Sequence, residues 1–588
     1  MKSYKYKVLA FGMALAAVAS CSDSFLDKVP DERTEIDTED KVIQLLVSAY
    51  PGGNPAWVGE ISSDNLIDNQ APHLPSNPND KQVEAHYNYS SYNKWDDELF
   101  NFEPAENATY SSQDSPGSLW NNYYASVATV NQALAGIDRV CPDGNLSTKM
   151  KAAKGEALLI RAYDHFQLVN IFSKAYKDDE ASKNDVGVPY VTEIEDVVSK
   201  KYDRGNVADV YKKIGEDLEA GLALISDINY TTAPKYHFNT NAAHAFAARY
   251  YLYKRNYEKV IEHANEVLGT DSTSFQRVVM DLSKFAGCSS LSDYANVWHN
   301  PDMAGNIMLM DTYSLMQRRV WGYRYSYAGP AASNALMIRS NHTSLWSGYI
   351  CPAISLVSGQ LFSSSSSDYG FFSAKVGEHF QYKDKVSGIG YCHQLYRPFT
   401  TNELLLERAE AETMLGKYAD AANDLRWYWN CQLNSMDPDD YKQYVSGGYV
   451  KFMTNKEFTG YYAIPAADAV KINTNCFSNW DFTQRMSASF VVPTEAVPYM
   501  NCINDFRRYE TAFDGLRFFD LKRWGIDYTH TVGLTKTIKE SNYNDALRAI
   551  EVPWETLSAG MGSSREEVTV DTKAAKAAMN VSSFVKKD

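Results

Sequence analysis

Residues 241–268 read NAAHAFAARYYLYKRNYEKVIEHANEVL, residues 402–431 read NELLLERAEAETMLGKYADAANDLRWYWNC, and the two can be laid over one another. Setting Tyr257 on Tyr418 puts Ala248 on Ala409 and Ala245 on Leu406 in the first half of each, and Ile261 on Ala422 and Ala264 on Leu425 in the second. Apolar residues recur at helical spacing on both sides of a short break, Arg255-Asn256 in one copy and Gly416-Lys417 in the other. Each copy therefore predicts a helix, a tight turn and an antiparallel helix. Small residues at the matched positions let the two helices approach closely. This is the pattern of a tetratricopeptide-like unit, which cannot bury its apolar face alone and has to stack on neighbours.

Helical periodicity continues outward over residues 41–50, 118–140, 148–172 and 207–225. In 118–140 the residues Trp120, Tyr123, Tyr124, Val127, Val130, Leu134 and Ile137 form one stripe; Trp120, Trp427 and Trp429 fall on such stripes and are assigned to the core. In 148–172 the stripe is Ala153, Ala157, Ile160, Tyr163 and Leu168, and in 207–225 it is Val210, Ile214, Leu218 and Leu222. Between the helices lie irregular stretches, 51–117, 270–400 and 435–498, rich in Gly, Pro, Ser, Asn and aromatics. Loops of that length in a compact domain usually carry function. The alternating Trp321, Tyr323, Tyr325 and Tyr327 predict short strands inside one of them, and the serine run 363–367 a low-complexity tip. The fold class is mainly α: a hairpin scaffold with long irregular and short β insertions.

The chain starts with Lys2, Lys5 and Lys7, then an apolar run over 8–19 too short to span a bilayer, then Val18-Ala19-Ser20-Cys21. Small residues before a cysteine at the apolar-to-polar boundary form a lipobox, which predicts a signal peptide over 1–20 and lipid on Cys21. Two or three acyl chains at about 0.8 kcal/mol per buried methylene make such an anchor effectively permanent. Residues 21–38, acidic with scattered apolar side chains, read as a spacer, and 39–588 as a single domain. Its helical scaffold lies mainly in 40–50, 118–268, 401–432 and 499–525. After Cys21 no stretch reaches the roughly 20 consecutive apolar residues of a membrane-spanning helix.

With 588 residues, 44% hydrophobic and 13% aromatic, the chain has ample material for a large core. A formal net charge of −16 argues against nucleic acid as a partner, because phosphate binding needs a local excess of Lys and Arg. Apart from Cys21, the cysteines Cys141, Cys288, Cys351, Cys392, Cys431, Cys476 and Cys502 make no CxxC pair and resemble no zinc ligand set. They read mainly as small buried hydrophobes, with one or two disulfides open to an exported protein. There is no HExxH, no pair of histidines at helical spacing, no GxSxG elbow, no phosphate-binding loop and no GxGxxG. Asp96, Asp97 and Glu98, or Glu103 and Glu106, could supply a glycosidase carboxylate pair, but among 73 acidic residues such neighbours arise by chance and read as a solvated face. The sequence names no catalytic residue, no cofactor and no oxygen-rich metal loop.

Residues 505–525, DFRRYETAFDGLRFFDLKRWG, closely resemble the C-terminal signature of the SusD/RagB family. In physical terms they read as a helix stopped by Gly515 as a left-handed cap, then a short helix closed by Gly525, with arginines and acids placed to pair. The same resemblance extends, in family order, to CSDSFLD at 21–27, EISSDN at 60–65, GEA at 155–157 with RAY at 161–163, Val188-Pro189, ELLLERAEA at 403–411 and AIEVPWE at 549–555. It departs at 560–588, where the family's Asn-Pro-rich close is missing. The resemblance implies a surface glycan-binding lipoprotein of the Bacteroidetes outer membrane. It further implies about four tetratricopeptide-like helix pairs as scaffold, insertions as the ligand face, and a SusC-like TonB-dependent transporter as partner. It implies a binder, not an enzyme. A peptide-binding RagB-type protein of the same fold is the alternative, and a surface glycoside hydrolase a remote one.

Sugar rings have apolar faces, so the expected ligand contacts are flat aromatics in the insertions: Trp95, Trp298, Trp321, Tyr323 and Trp346, with Asn93 and Arg324 as polar neighbours. The lipobox carries a direct test. Cys21→Ala should leave the protein out of the detergent phase of a phase-partition assay, whereas unchanged partitioning would contradict lipid anchoring.

Overall fold

The computed structural model describes residues 36–68, 91–195, 201–270, 290–320, 324–328, 359–360, 369–371, 373–433, 490–532, 536–539 and 546–565, with positions 284, 288 and 482. The expected signal peptide, Cys21, Trp321, Tyr323, Trp346 and the serine run lie outside these residues. In chain order the elements are α1 (Glu39–Val47), α2 (Ala56–Ile61), β1 (Ile67–Asp68), α3 (Lys94–Phe100), α4 (Pro116–Val140), α5 (Thr148–Phe172), α6 (Val207–Leu222), α7 (Thr240–Lys254) and α8 (Tyr257–Leu268). There follow α9 (Leu291–Trp298), β2 (Asn306–Tyr313), α10 (Met316–Val320), β3 (Tyr325–Ala328), β4 (Gly359–Gln360), β5 (Tyr369–Phe371), β6 (Glu378–Asp384) and β7 (Ile389–Thr400). The chain closes with α11 (Thr401–Met414), α12 (Tyr418–Leu433), α13 (Val497–Glu510), α14 (Leu516–Trp524), β8 (Thr529–Val532), β9 (Lys536–Lys539) and α15 (Trp554–Ser558). Among the described residues no helix is long and apolar enough to cross a membrane.

Helix starts follow local chemistry: the side chains of Thr38, Ser115, Ser147, Asn206, Asn239, Asn256 and Thr400 each accept the backbone N–H three residues on. Both expected hairpins form, α7/α8 and α11/α12. Their turns solve the same problem differently. Gly416 adopts φ +72° at no steric cost, whereas Arg255 holds φ +62° as a non-glycine residue. The Arg255 guanidinium supports that conformation by donating to the carbonyls of Lys177, Tyr176 and Arg523 and by lying 4.4 Å from the Phe490 ring centroid.

The helices stack in the order α1, α4, α5, α6, α7, α8, α11, α12, with α13 closing against α11. The matched small positions Ala245, Ala248, Ala264, Leu406, Ala409 and Leu425 are all buried between them. A buried arginine sits at several junctions. Arg161 of α5 makes two 2.7 Å bonds to Asp217 of α6 and one of 3.0 Å to Asn131 of α4. Arg408 of α11 donates to Asp424 of α12 at 2.7 Å and to Asn265 Oδ1 of α8 at 2.8 Å.

The C-terminal signature is the largest of these junctions. Arg249 of α7 reaches Glu403 and Glu407 of α11; Arg507 of α13 reaches Glu403 at 3.5 Å and Asp520 of α14 at 2.9 Å; Arg523 of α14 bonds Asp520 at 2.8 Å and Glu410 of α11 at 2.5 Å. All seven side chains are buried. Three guanidinium groups face four carboxyls, and burial beside Glu403 pushes Glu407 up to about 8, so near neutrality it keeps its proton and the lattice balances three against three. The same signature also clasps the segment at Asp64-Asn65. Arg517 makes bonds of 2.8 and 3.0 Å to Asp64, and Arg508 one of 2.8 Å to Asn65.

Gly515 differs from the expectation. Helix α13 ends at Glu510 with Thr511 as its cap, and Gly515, at φ +79°, instead opens α14. Its backbone lies against α2, so that a Cβ on Gly59 would collide with the Gly515 carbonyl. Gly525, at φ +68°, closes α14 as expected. Helices α2 and α3 fall in a stretch read as irregular, because AWVGEI is buried on every side and has no polar face to give it a period.

Among the described residues there are two sheets, one ordered β4-β5-β3-β1-β8-β9 and a three-stranded antiparallel one ordered β2-β7-β6. Tyr325 and Tyr327 of the expected alternating run do lie on a strand, and both are buried.

The raised Glu407 carboxyl predicts a pH effect. Between about pH 5 and 8 the unfolded chain has released this proton and the folded protein keeps it, so the contribution of Glu407 to stability declines as pH rises through that window. Glu407→Gln removes the titration, and its urea midpoint relative to wild type should rise from pH 5 to pH 8; a constant difference would show that Glu407 is ionised in the fold.

Candidate functional site

Strand β7 runs straight into α11, and Thr400 serves as both strand end and helix cap, so the three-stranded sheet is built onto the helical stack. Its register pairs Tyr313 with His393, His379 with His393, and Gln381 with Tyr391. Side chains alternate across a strand, so Tyr313, His379, Gln381, Tyr391 and His393 share one face. The hairpin between β6 and β7 turns through Gly388 at φ +70°, with Asp384 Oδ1 accepting the Val386 N–H at 2.8 Å.

Facing that sheet is the start of α4 with the turn before it. The turn is fixed: Gln113 Nε2 donates to the Cys392 carbonyl at 2.9 Å, and Asp114, at φ +64°, accepts the Leu315 N–H at 2.7 Å. Between the two lies a cleft of about 520 Å³, walled by Tyr110, Gln113, Asn121 and Asn122 on one side and by Tyr313, Gln381, Tyr382, Lys383, Tyr391 and His393 on the other. Its volume is that of a small-molecule site. Tyr382, Tyr391 and Tyr313 are 52%, 43% and 38% exposed, and the last two meet edge to face at 5.5 Å. Ring faces bordered by amides suit a ligand with apolar faces and a rim of hydroxyl groups. At one end His393 Nδ1 lies 3.1 Å and His379 Nε2 3.4 Å from Asp311 Oδ1, the one group of three such side chains that could hold a metal ion among the described residues. Nearby, burial pushes His299 down to about 4, so it is neutral, and its Nε2 bonds the Lys375 carbonyl at 2.9 Å.

The cleft and the residues expected from sequence do not coincide. Trp95 is 1% exposed with the Arg319 guanidinium 4.3 Å from its ring centroid, and Trp298 is 3% exposed between Arg397 at 4.5 Å and Lys375 at 5.1 Å. Both tryptophans are core residues that cover buried cations, so neither has a free face to stack on a ligand. Asn93 caps α3 and accepts from Arg319 at 2.9 Å; Arg324 is paired with Asp68 at 3.2 Å and Asp97 at 2.9 Å. Trp120 is buried and Trp427 half-buried against the core, as expected of stripe residues.

The acidic neighbours are also engaged. Asp96 accepts from Trp57 Nε1 at 2.8 Å and Arg319 at 2.7 Å, and burial pushes its carboxyl up to about 6. Asp97 accepts from Tyr325 at 2.6 Å, and Glu98 from Asn107. Of the described cysteines Cys141, Cys288, Cys392 and Cys502 are free thiols, the last two buried. The alternation of Tyr391 and His393 beyond the hairpin glycine marks a strand in the sequence, but what faces that strand follows only from long-range register.

Residues 24–252 match the SusD-like family model described as starch-binding associating with outer membrane. No curated protein matches the chain. Several solved structures share its fold. A SusD superfamily protein from Bacteroides vulgatus ATCC 8482 is 13% identical with TM-score 0.54, the match covering 90% of this chain and 99% of that one. One from Bacteroides thetaiotaomicron VPI-5482 is 15% identical with TM-score 0.52, covering 90% and 100%. One from Bacteroides fragilis is 14% identical with TM-score 0.51, covering 92% and 100%. Residues 24–252 thus carry the SusD-like family's sequence pattern, and the chain shares the fold of these structures over about nine-tenths of its length.

Proposed function

We propose that this protein is a lipid-anchored, cell-surface glycan-binding protein that captures an oligo- or polysaccharide in the cleft between α4 and the three-stranded sheet. It then delivers the glycan to a SusC-like TonB-dependent transporter. The observation that carries the reading is the pair of partly exposed Tyr313 and Tyr391 rings beside Gln113, Asn121, Asn122 and Gln381. Tyrosine offers a ring face to the C–H side of a sugar, while amides both donate to and accept from its hydroxyls. Two of the long excursions meet here, one ending at α4 and the other carrying β2, β6 and β7, on strands and a helix whose backbones are already hydrogen-bonded. A preformed site of this kind loses little side-chain freedom on binding. The family description as starch-binding and associating with the outer membrane supports both the ligand class and the location. On sequence grounds Trp321, Tyr323 and Trp346 stay as proposed ligand contacts.

Calorimetric titration against a polysaccharide panel tests the reading. One or more glycans should saturate the protein, and Tyr391→Ala should weaken binding by about 1 to 3 kcal/mol while leaving the melting temperature close to wild type. Saturable binding of peptides and of no glycan would overturn it.

A further inference from the structure

Three ligand atoms from three neighbouring strands converge where the cleft ends. Asp311 lies on β2, His393 on β7 and His379 on β6, and the cross-strand pairing of His379 with His393 sets the two imidazoles on one face. Their ring centroids are 5.4 Å apart. Asp311 Oδ1 is 3.1 Å from His393 Nδ1 and 3.4 Å from His379 Nε2, and all three ligand atoms lie within 4.8 Å of one another. Nitrogen and oxygen donors about 2.0 to 2.2 Å from a tetrahedral ion sit roughly 3.3 Å apart, so two of the three edges already have the length that such an ion requires.

We propose that Asp311, His379 and His393 form a binding site for a divalent transition-metal ion of the zinc type, with three protein ligands and one open position. Two imidazoles and one carboxylate are the donor set that such ions favour, while calcium and magnesium select oxygen alone. The frame is a hydrogen-bonded ladder that fixes strand register, so the donors are positioned before any ion arrives. His393 is buried and wedged against Tyr313 at 4.5 Å between ring centroids, whereas the side chains of His379 and Asp311 are 49% and 43% exposed. The exposed pair leaves the open position accessible to water. Without an ion the two imidazoles face a single, partly exposed carboxylate oxygen, an arrangement that contributes little to stability. The site shares His393 with the cleft, but the inference does not depend on what the cleft binds.

The full-length protein, freed of metal with a chelator, is titrated with zinc chloride alone. Saturable uptake of one zinc per chain is expected, weakened at least tenfold by His379→Ala and by Asp311→Asn. Both positions are exposed, so the circular dichroism spectrum and the metal-free melting temperature of each variant should match wild type. Tyr391→Ala should retain zinc binding, which separates this site from the glycan reading. Absence of saturable uptake, or uptake that both variants retain at full strength, would overturn the proposal.

Discussion

The buried lattice of Arg249, Arg507 and Arg523 with Glu403, Glu410 and Asp520 is the interaction on which the rest of this structure depends. It joins three stretches that are far apart in sequence, α7, α11 and the neighbouring pair α13 and α14, and it does so where water is excluded. Such pairs contribute little net stability when compared with well-packed apolar side chains, yet losing one partner strands a charge at a cost of about 3 to 5 kcal/mol. Their effect is therefore on specificity. This arrangement of the stack brings all of these pairs together at once, and burial pushes the Glu407 carboxyl up so that the charges balance.

Arginine has the same function at the edges of that lattice. Arg161 fixes α4, α5 and α6 to one another, Arg408 joins the two tetratricopeptide-like hairpins, and Arg508 with Arg517 holds the segment at Asp64-Asn65 against the C-terminal signature. Its planar fork donates to several partners at once and lies flat on aromatic rings. This also explains where the tryptophans went. Trp95 lies beneath Arg319 and Trp298 beneath Arg397, so the residues that look most like sugar platforms serve as covers for buried cations. The partly exposed rings that line the cleft are tyrosines, whose hydroxyl tolerates water at the rim.

The frame in turn places the cleft. Strand β7 is continuous with α11, whose carboxylates belong to the lattice, and β2 and β6 are registered on β7. A change in the stack would therefore move Tyr391 and His393 with it. The opposite wall is tied to the same strand through Gln113 and the Cys392 carbonyl. Rigid walls bearing variable side chains are how a single scaffold can serve different ligands.

The sequence by itself determined the elements whose signals are local. Hairpins at 241–268 and 402–431 follow from repeated small and apolar residues, helix starts from Ser, Thr and Asn caps, and the closure of α14 from Gly525. Where burial surrounds a segment completely, as at Trp57, Val58 and Ile61 in α2, no polar face remains to reveal it. The cleft and the Asp311, His379 and His393 cluster were decided by tertiary structure alone. Register across three strands brings those residues together, and register is fixed by hydrogen bonds between segments up to about ninety residues apart that no local pattern records.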